Sequence, residues 1–92
     1  MMSDIQYSEG LFYIGDKNDP SAHLAFEEEN DVMQIMSTVV APEEREQGLG
    51  TELIDHAVNY ARKHKLEIDP VCSFAHEVIK ETPEYHVVWK QK

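Results

Sequence analysis

The chain of 92 residues contains one cysteine, Cys72, and only 8 lysines and arginines against 18 aspartates and glutamates. A single cysteine cannot build an internal disulfide framework and is typical of a reducing compartment, so we expect a cytoplasmic protein. The formal charge of −10 opposes binding to nucleic acid or to an anionic membrane surface, and it favours cationic partners. No apolar run approaches the ~20 residues that a membrane-spanning helix needs. We therefore expect neither nucleic acid nor a membrane among the partners.

The five histidines lack the spacing of a metal site. Cys72 and His76 lie four residues apart, but two ligands do not make a zinc centre. We expect no bound metal. An apolar content of 41% argues against disorder, and the length predicts one domain over residues 1–92. The oligomeric state stays open between a monomer and a weak dimer.

Hydrophobic periodicity and turn signals predict an α/β fold of order β-β-β-α-β-α with a mixed sheet. Strands are expected at residues 11–14, 22–28, 32–40 and 66–71, and helices at 50–64 and 73–80. Residues 1–9 are predicted to be an irregular lead-in, and residues 85–89 could add a final edge strand. The strands on either side of the long helix should run parallel, with a right-handed crossover.

Between the apolar strand at 32–40 and the long helix lies the loop Arg45-Glu46-Gln47-Gly48-Leu49-Gly50. Glycines let backbone N–H groups approach an anion closely, and a helix N-terminus adds unpaired donors and a positive dipole end. This layout is typical of a phosphate or pyrophosphate site. The two glycines could also simply make the turn between strand and helix.

Residues 38–74 resemble the acyl-CoA-binding core of the GNAT (general N-acetyltransferase) superfamily. Its signature Gln/Arg-x-x-Gly-x-Gly/Ala is matched by Arg45, Gly48 and Gly50. The chain is most similar to the small single-domain branch, about ninety residues long, whose Pro-x-Cys-Ser/Pro-Phe/Tyr motif reads here Pro70-Val71-Cys72-Ser73-Phe74. The resemblance implies a truncated GNAT-like fold and transfer of acetyl from acetyl-CoA to a primary amine, either a small amine or a lysine side chain.

The resemblance also implies which residues hold coenzyme A. The pyrophosphate would lie on backbone amides of the glycine loop, and the pantetheine arm would run beside the end of the long strand. An N–H near Val39 or Val40 would then stabilise the oxyanion of the tetrahedral intermediate. The implied cofactor residues are Thr38, Val39, Val40, Arg45, Glu46, Gln47, Gly48, Leu49, Gly50, Thr51 and Ser73.

Three positions depart from the branch. Members often carry a histidine where this chain has Ser37 and a carboxylate where it has Val39, and Glu46 replaces a glycine of the loop. These departures leave the general base unassigned. His23, Glu27 and Glu28 are candidates, although a residue of this kind is more often a solvated strand residue.

Cys72 is the implied catalytic residue, at the start of the short helix and facing the thioester. A helix N-terminus favours a thiolate, so Cys72 could act as a nucleophile or stabilise the departing thiolate of CoA. The alternative is a small buried residue where a strand meets a helix. Ser73 is either a helix cap or a ligand contact, and Tyr85 and Trp89 either line an acceptor groove or pack.

Two other functions stay open from the sequence. The first is a non-catalytic acyl-CoA-binding module that keeps the glycine loop but has no base. The second is an acidic structural or partner-binding domain that uses no cofactor.

Overall fold

The structure is a computed structural model, which describes residues 4–43 and 48–90. In chain order the strands are β1 (Ile5–Ser8), β2 (Leu11–Asp16), β3 (Asp19–Glu29), β4 (Val32–Val40) and β5 (Glu67–Pro70). The helices are α1 (Leu49–Lys63) and α2 (Ser73–Glu81), followed by a 3-10 helix at Pro83–Val87. The mixed α/β fold predicted from the sequence is confirmed, with one strand more than expected.

The five strands form one sheet in the order β1-β2-β3-β4-β5. Strands β1 to β4 are an antiparallel meander, and β5 joins β4 in parallel, as the helix between them requires. The prediction for β4 is correct at both ends. Asn30 and Asp31, with φ of 53° and 64°, form the two-residue turn before it.

The lead-in predicted for residues 1–9 is wrong, because β1 lies within it and pairs with β2 along its full length. β1 has only four residues, and the exposed Tyr7 gives it no clear alternation. β2 and β3 are also longer than predicted. Their turn consists of Lys17 and Asn18 alone, and the Asn18 N–H donates to Asp16 Oδ1 at 2.9 Å.

The edge strand predicted for residues 85–89 is also wrong. Pro83 starts a 3-10 helix there, since its fixed φ suits the first position of a helix. Only one bridge of the strand type remains, between Ile68 and Trp89. Two hydrogen bonds support it, from the Ile68 N–H to the Val88 carbonyl at 2.6 Å and from the Lys90 N–H to the Ile68 carbonyl at 2.8 Å.

α1 is an amphipathic helix that begins at the glycine loop. Its buried residues recur at helical spacing: Leu49, Gly50, Leu53, Ile54, Ala57, Val58 and Ala61. Arg62 and Lys63 lie in its last turn, where cations stabilise the helix dipole. No helix in the described part of the chain is long and apolar enough to cross a membrane.

The core lies on one face of the sheet. Cross-strand partners share a face, and Phe12 pairs with Leu24, while Met33 pairs with Ile68. These four side chains are at most 1% exposed, and they pack with buried residues of both helices. α1 and α2 therefore cover the same face, which makes a two-layer fold.

The opposite face carries the alternate residues of the same strands. One cross-strand row consists of Tyr13, His23 and Val39, and another consists of Glu27, Gln34 and Asp69. Neither α1, α2 nor the 3-10 helix covers this side. We call it the uncovered face.

Candidate active site

β4 extends beyond its parallel partner, β5. β5 pairs with β4 only from Val32 to Ile35, where the partner is Pro70. β4 continues for five more residues, to Val40, and β3 alone pairs with it there among the described strands. The register between β3 and β4 shifts at the point where β5 ends: Ala25 pairs with Ser37 and Phe26 with Ile35, so Met36 is an extra, bulged residue of β4. The sheet therefore forks after Ile35.

The pairing register shows which backbone groups of β4 face the fork. The Ala41 N–H donates to the Ser21 carbonyl at 2.8 Å, on the β3 side. Because antiparallel pairs alternate, the backbone groups of Val39 also point to β3, whereas those of Thr38 and Val40 point to the fork. On that same side, the Ile35 carbonyl accepts from the Cys72 N–H at 2.9 Å. The fork thus begins with a backbone contact to α2 and continues with backbone groups of β4 that pair with no strand among the described residues.

The start of α1 faces the fork. Gly48 caps the helix in the left-handed conformation, with φ of 72°, and the Glu52 N–H donates to its carbonyl at 3.0 Å. Only glycine adopts this conformation at no cost in strain. The N–H groups of Leu49, Gly50 and Thr51 belong to the first turn, which has no intrahelical acceptors for them. Three backbone donors and the positive end of a 15-residue helix are thus directed at one place.

A cavity of about 490 Å³ occupies the space between these elements. It is lined by Thr38, Val39, Val40, Gly48, Gly50, Thr51 and Phe74. The Phe74 ring lies against Gly50: a Cβ atom at residue 50 would be 3.0 Å from two of the ring carbons. The glycine therefore leaves the space that the ring occupies.

Cys72 and Ser73 lie at the start of α2, beside the fork. Cys72 is the residue before the helix, and its Sγ is 3.8 Å from Thr38 Oγ1, a side chain of the cavity lining. The thiol is partly buried and unbridged. Ser73 is the first residue of α2, and it is exposed.

The structure brings together six of the residues that the resemblance implies, namely Thr38, Val39, Val40, Gly48, Gly50 and Thr51. The Leu49 side chain is 6% exposed and lies in the core, so only its backbone faces the loop. Of the remaining four, Ser73 does not line the cavity, and Arg45, Glu46 and Gln47 lie outside the described residues.

Phe74 was not identified from the sequence as a residue that lines the cavity. It is 41% exposed, and Ala75 is the buried residue of that turn. Its place in the Pro-x-Cys-Ser-Phe motif was the available signal, because a residue two positions after Cys72 enters the first turn of α2.

The three candidate bases lie in different places. Glu28 shares the helix-covered face and accepts a hydrogen bond from Tyr60 Oη at 3.1 Å, in the second half of α1 and away from the cavity. Burial, together with this hydrogen bond, raises the pKa of Tyr60. His23 and Glu27 lie on the uncovered face, and only His23 pairs with a cavity-lining residue, Val39.

Tyr85 packs against α1, and its hydroxyl donates to Asp55 Oδ1 at 2.8 Å. Burial and this hydrogen bond raise the pKa of Tyr85 to about 12. Trp89 contacts the rings of His76 and His86. Both aromatic residues therefore have packing roles. Within residues 4–43 and 48–90, no group of three His, Cys, Asp or Glu side chains could hold a metal ion.

Comparisons with known proteins agree with this fold. Residues 11–88 match the family model of the GCN5-related N-acetyl-transferases. Among solved structures, the chain is similar to a GCN5-like candidate N-acetyltransferase from Staphylococcus aureus. The two are 32% identical, the match covers 97% of this chain and 89% of the other, and the TM-score is 0.83.

The ribosomal-protein-S18-alanine N-acetyltransferase from Escherichia coli is a more distant neighbour. It is 20% identical with a TM-score of 0.57, over 63% of this chain and 38% of the other, so the likeness concerns the fold alone. A search among curated proteins found no match. The family model covers most of the chain, and the protein belongs to the GCN5-related N-acetyltransferase family.

Proposed function

We propose that this protein, as one domain, transfers acetyl from acetyl-CoA to a primary amine, either a small amine or a lysine side chain. The observation that carries the proposal is the cavity between the unpaired end of β4 and the start of α1. It combines the backbone groups of β4 that point to the fork with the N-terminus of α1. The first can pair with the pantetheine amides of coenzyme A, and the second can bind its pyrophosphate. Family membership supports acyl transfer as the type of reaction.

The pantetheine arm would take the place that β5 leaves empty. Its amides can pair with the backbone of Thr38 and Val40, the two residues whose polar groups point to the fork. Val39 lines the cavity, but its backbone groups are directed to β3. The register therefore favours the Val40 or Thr38 N–H as the donor to the thioester oxygen.

The pyrophosphate would lie on the first turn of α1. The amides of Gly48, Leu49, Gly50 and Thr51 are candidates, because a helix N-terminus binds anions through such donors. In a chain of formal charge −10, local backbone donors must offset the general repulsion of phosphate. Arg45, Glu46 and Gln47 complete the proposed loop on the basis of the sequence alone.

Cys72 would act on the leaving group. Its thiol lies beside Thr38, at the level of the fork where the proposed thioester would lie. There it can donate a proton to the CoA thiolate as the carbon–sulfur bond breaks. Ser73, exposed at the first turn of α2, would contact the cofactor through its hydroxyl or its N–H.

A second candidate function is a binding module for acyl-CoA that performs no transfer. One observation favours it: Ser37 and the three residues of β4 that line the cavity, Thr38, Val39 and Val40, carry no group that accepts a proton from an ammonium. This module would bind acetyl-CoA and release no CoA with any amine.

The test of the proposed function is a thermal-shift titration with acetyl-CoA and CoA on wild type and two variants of Gly48. Gly48→Asn and Gly48→Asp have nearly the same shape, and both residues tolerate the left-handed conformation, but only aspartate adds a negative charge. Within the part of the chain that the structure describes, a Cβ at this position would meet no atom within 4 Å.

Ligand at a hundred times its dissociation constant stabilises a protein by about 2.7 kcal/mol, which is on the order of 10 °C for this size. We expect that shift in wild type and most of it in Gly48→Asn, and a much smaller one in Gly48→Asp. Equal shifts in the two variants would place the phosphates elsewhere. Absence of a shift in wild type at millimolar ligand would refute the proposed function.

A further inference from the structure

The fork opens to both faces of the sheet, but helices occupy only one of them, and this determines the side from which an acceptor can approach. The N-terminal ends of α1 and α2 fill the helix-covered side, where the cavity lies. With acetyl-CoA in that cavity, as the proposed function has it, the amine must come from the uncovered face. The inference below rests on that proposed function.

On the uncovered face, one titratable side chain near the fork lies on each of the two strands that pair with β4. His23 of β3 pairs with Val39, and such hydrogen-bonded partners have Cα atoms about 5.5 Å apart. The imidazole is also diagonal to Ser37, within reach of a long side chain. Asp69 of β5 pairs with Gln34, one row before the fork opens. Both side chains are partly exposed.

We propose that an acceptor with more than one ammonium group lies over the uncovered face, where Asp69 binds a remote ammonium and His23 accepts the proton of the ammonium that reacts. A carboxylate attracts an ammonium but is a weak base toward it, whereas imidazole is the side chain that most often performs proton transfer in catalysis. His23 thus supplies a base that β4 itself does not carry.

The reacting ammonium gives one proton to the imidazole, and the freed nitrogen lone pair forms a bond to the thioester carbonyl carbon while the C=O π electrons move to oxygen. When the intermediate collapses, the C–S bond breaks and its electron pair leaves with sulfur. The nitrogen loses a second proton, the CoA thiolate gains one, and the imidazolium returns its proton to water.

Other charged and titratable groups on this face determine which amines fit. Tyr13 lies beside His23 in the same cross-strand row, and Glu27 lies in the row of Asp69. Glu67 is two residues before Asp69 on the same side of β5. Two carboxylates beside Asp69 favour an acceptor with more than one positive charge, such as a polyamine.

The experiment follows release of the CoA thiol, with the triamine spermidine as acceptor and acetyl-CoA saturating. We expect His23→Ala to lower kcat about 100-fold or more, with the KM for acetyl-CoA within twofold of wild type. Added imidazole should restore part of the rate, which a merely structural role would not allow. Asp69→Asn should raise the KM for spermidine about tenfold and change kcat little. His86→Ala and Glu81→Gln, on the helical side, are matched controls.

A kcat for His23→Ala within threefold of wild type, or no rescue by imidazole, would overturn the inference. An NMR titration gives a readout that needs no turnover: spermidine added to the CoA-saturated protein should shift the imidazole signals of His23 and not those of His86. Unshifted His23 signals would also overturn it. Failure of the proposed function has a different signature, since acetyl-CoA would then give no thermal shift in wild type.

Discussion

The close contact between Gly50 and Phe74 predicts a measurable energetic coupling between the two residues. A Cβ at position 50 would lie 3.0 Å from ring atoms Cε2 and Cζ of Phe74, and 3.5 Å from Val40 Cγ2. Carbon atoms prefer separations of about 3.5–4.0 Å, so the ring must move by about 0.5–1 Å in Gly50→Ala. The contact with Val40 is ordinary and requires no movement.

Two effects of opposite sign determine how much Gly50→Ala changes the free energy of unfolding. Alanine in place of glycine inside a helix stabilises by roughly 0.5–1 kcal/mol, because the unfolded chain loses freedom. Overpacking costs typically 1–3 kcal/mol, and the lower end applies because Phe74 is 41% exposed and its ring can shift outward. We therefore expect Gly50→Ala to change the free energy of unfolding little in wild type. In a Phe74→Ala background, where no ring has to move, Gly50→Ala should stabilise the protein by the full gain of alanine over glycine in a helix, roughly 0.5–1 kcal/mol.

The assay is a double-mutant cycle of urea denaturation on wild type, Gly50→Ala, Phe74→Ala and the double variant. The expected coupling is about 1 kcal/mol, well above the error of additivity between independent sites, which is about 0.3–0.5 kcal/mol. If Gly50→Ala had the same effect in both backgrounds, the ring would not rest on Gly50. The shape of the cavity described above would then be incorrect.

Three further predictions concern Tyr85, His56 and Cys72. Tyr85→Phe removes the hydrogen bond to Asp55 and should lower the free energy of unfolding by about 1 kcal/mol. Because the pKa of Tyr85 is raised to about 12 in the folded state, this difference should be complete below pH 10 and disappear as the pH rises through 12, in urea titrations at each pH. Burial lowers the pKa of His56 although Asp55 opposes it, so unfolding takes up a proton and stability should fall as the pH drops below 6.5. His56→Gln should flatten that fall, and an unchanged slope would contradict the assignment. If Cys72 protonates the leaving thiolate, Cys72→Ala should slow CoA release at least tenfold with acetyl-CoA binding unchanged, whereas full turnover would remove the thiol from the mechanism.

The sequence predicted well those elements that contain a long run or a regular repeat of buried apolar residues. β4 is nearly continuous in apolar residues and α1 repeats its buried side chains at helical spacing, so burial alone defines both. β1 has four residues and no fully buried side chain, so its pairing with β2 defines it. The tail at residues 83–87 carries aromatic and β-branched residues typical of a strand, but the backbone of Pro83 favours a helical turn.

The candidate site shows a similar division. The glycine loop and the cysteine motif were visible as patterns, and six implied residues do meet at the cavity. The position of the fork was not visible, because it depends on where β5 stops pairing with β4. The same register separates the backbone of Val39 from that of Val40, a distinction that composition and periodicity do not contain. Likewise, only cross-strand pairing brings His23 next to Val39, 16 positions later in the chain.

The short parallel pairing of β5 also has a consequence for how the chain folds. β1 to β4 are neighbours in sequence and in the sheet, so short loop closures build the meander. β5 must return across α1, and Val32 meets Glu67, 35 positions later. We expect this docking to be the late step of folding, since its loop closure costs the most entropy. The fork exists only once β5 has docked, so a cofactor that binds there would select the fully folded chain over every partly folded one.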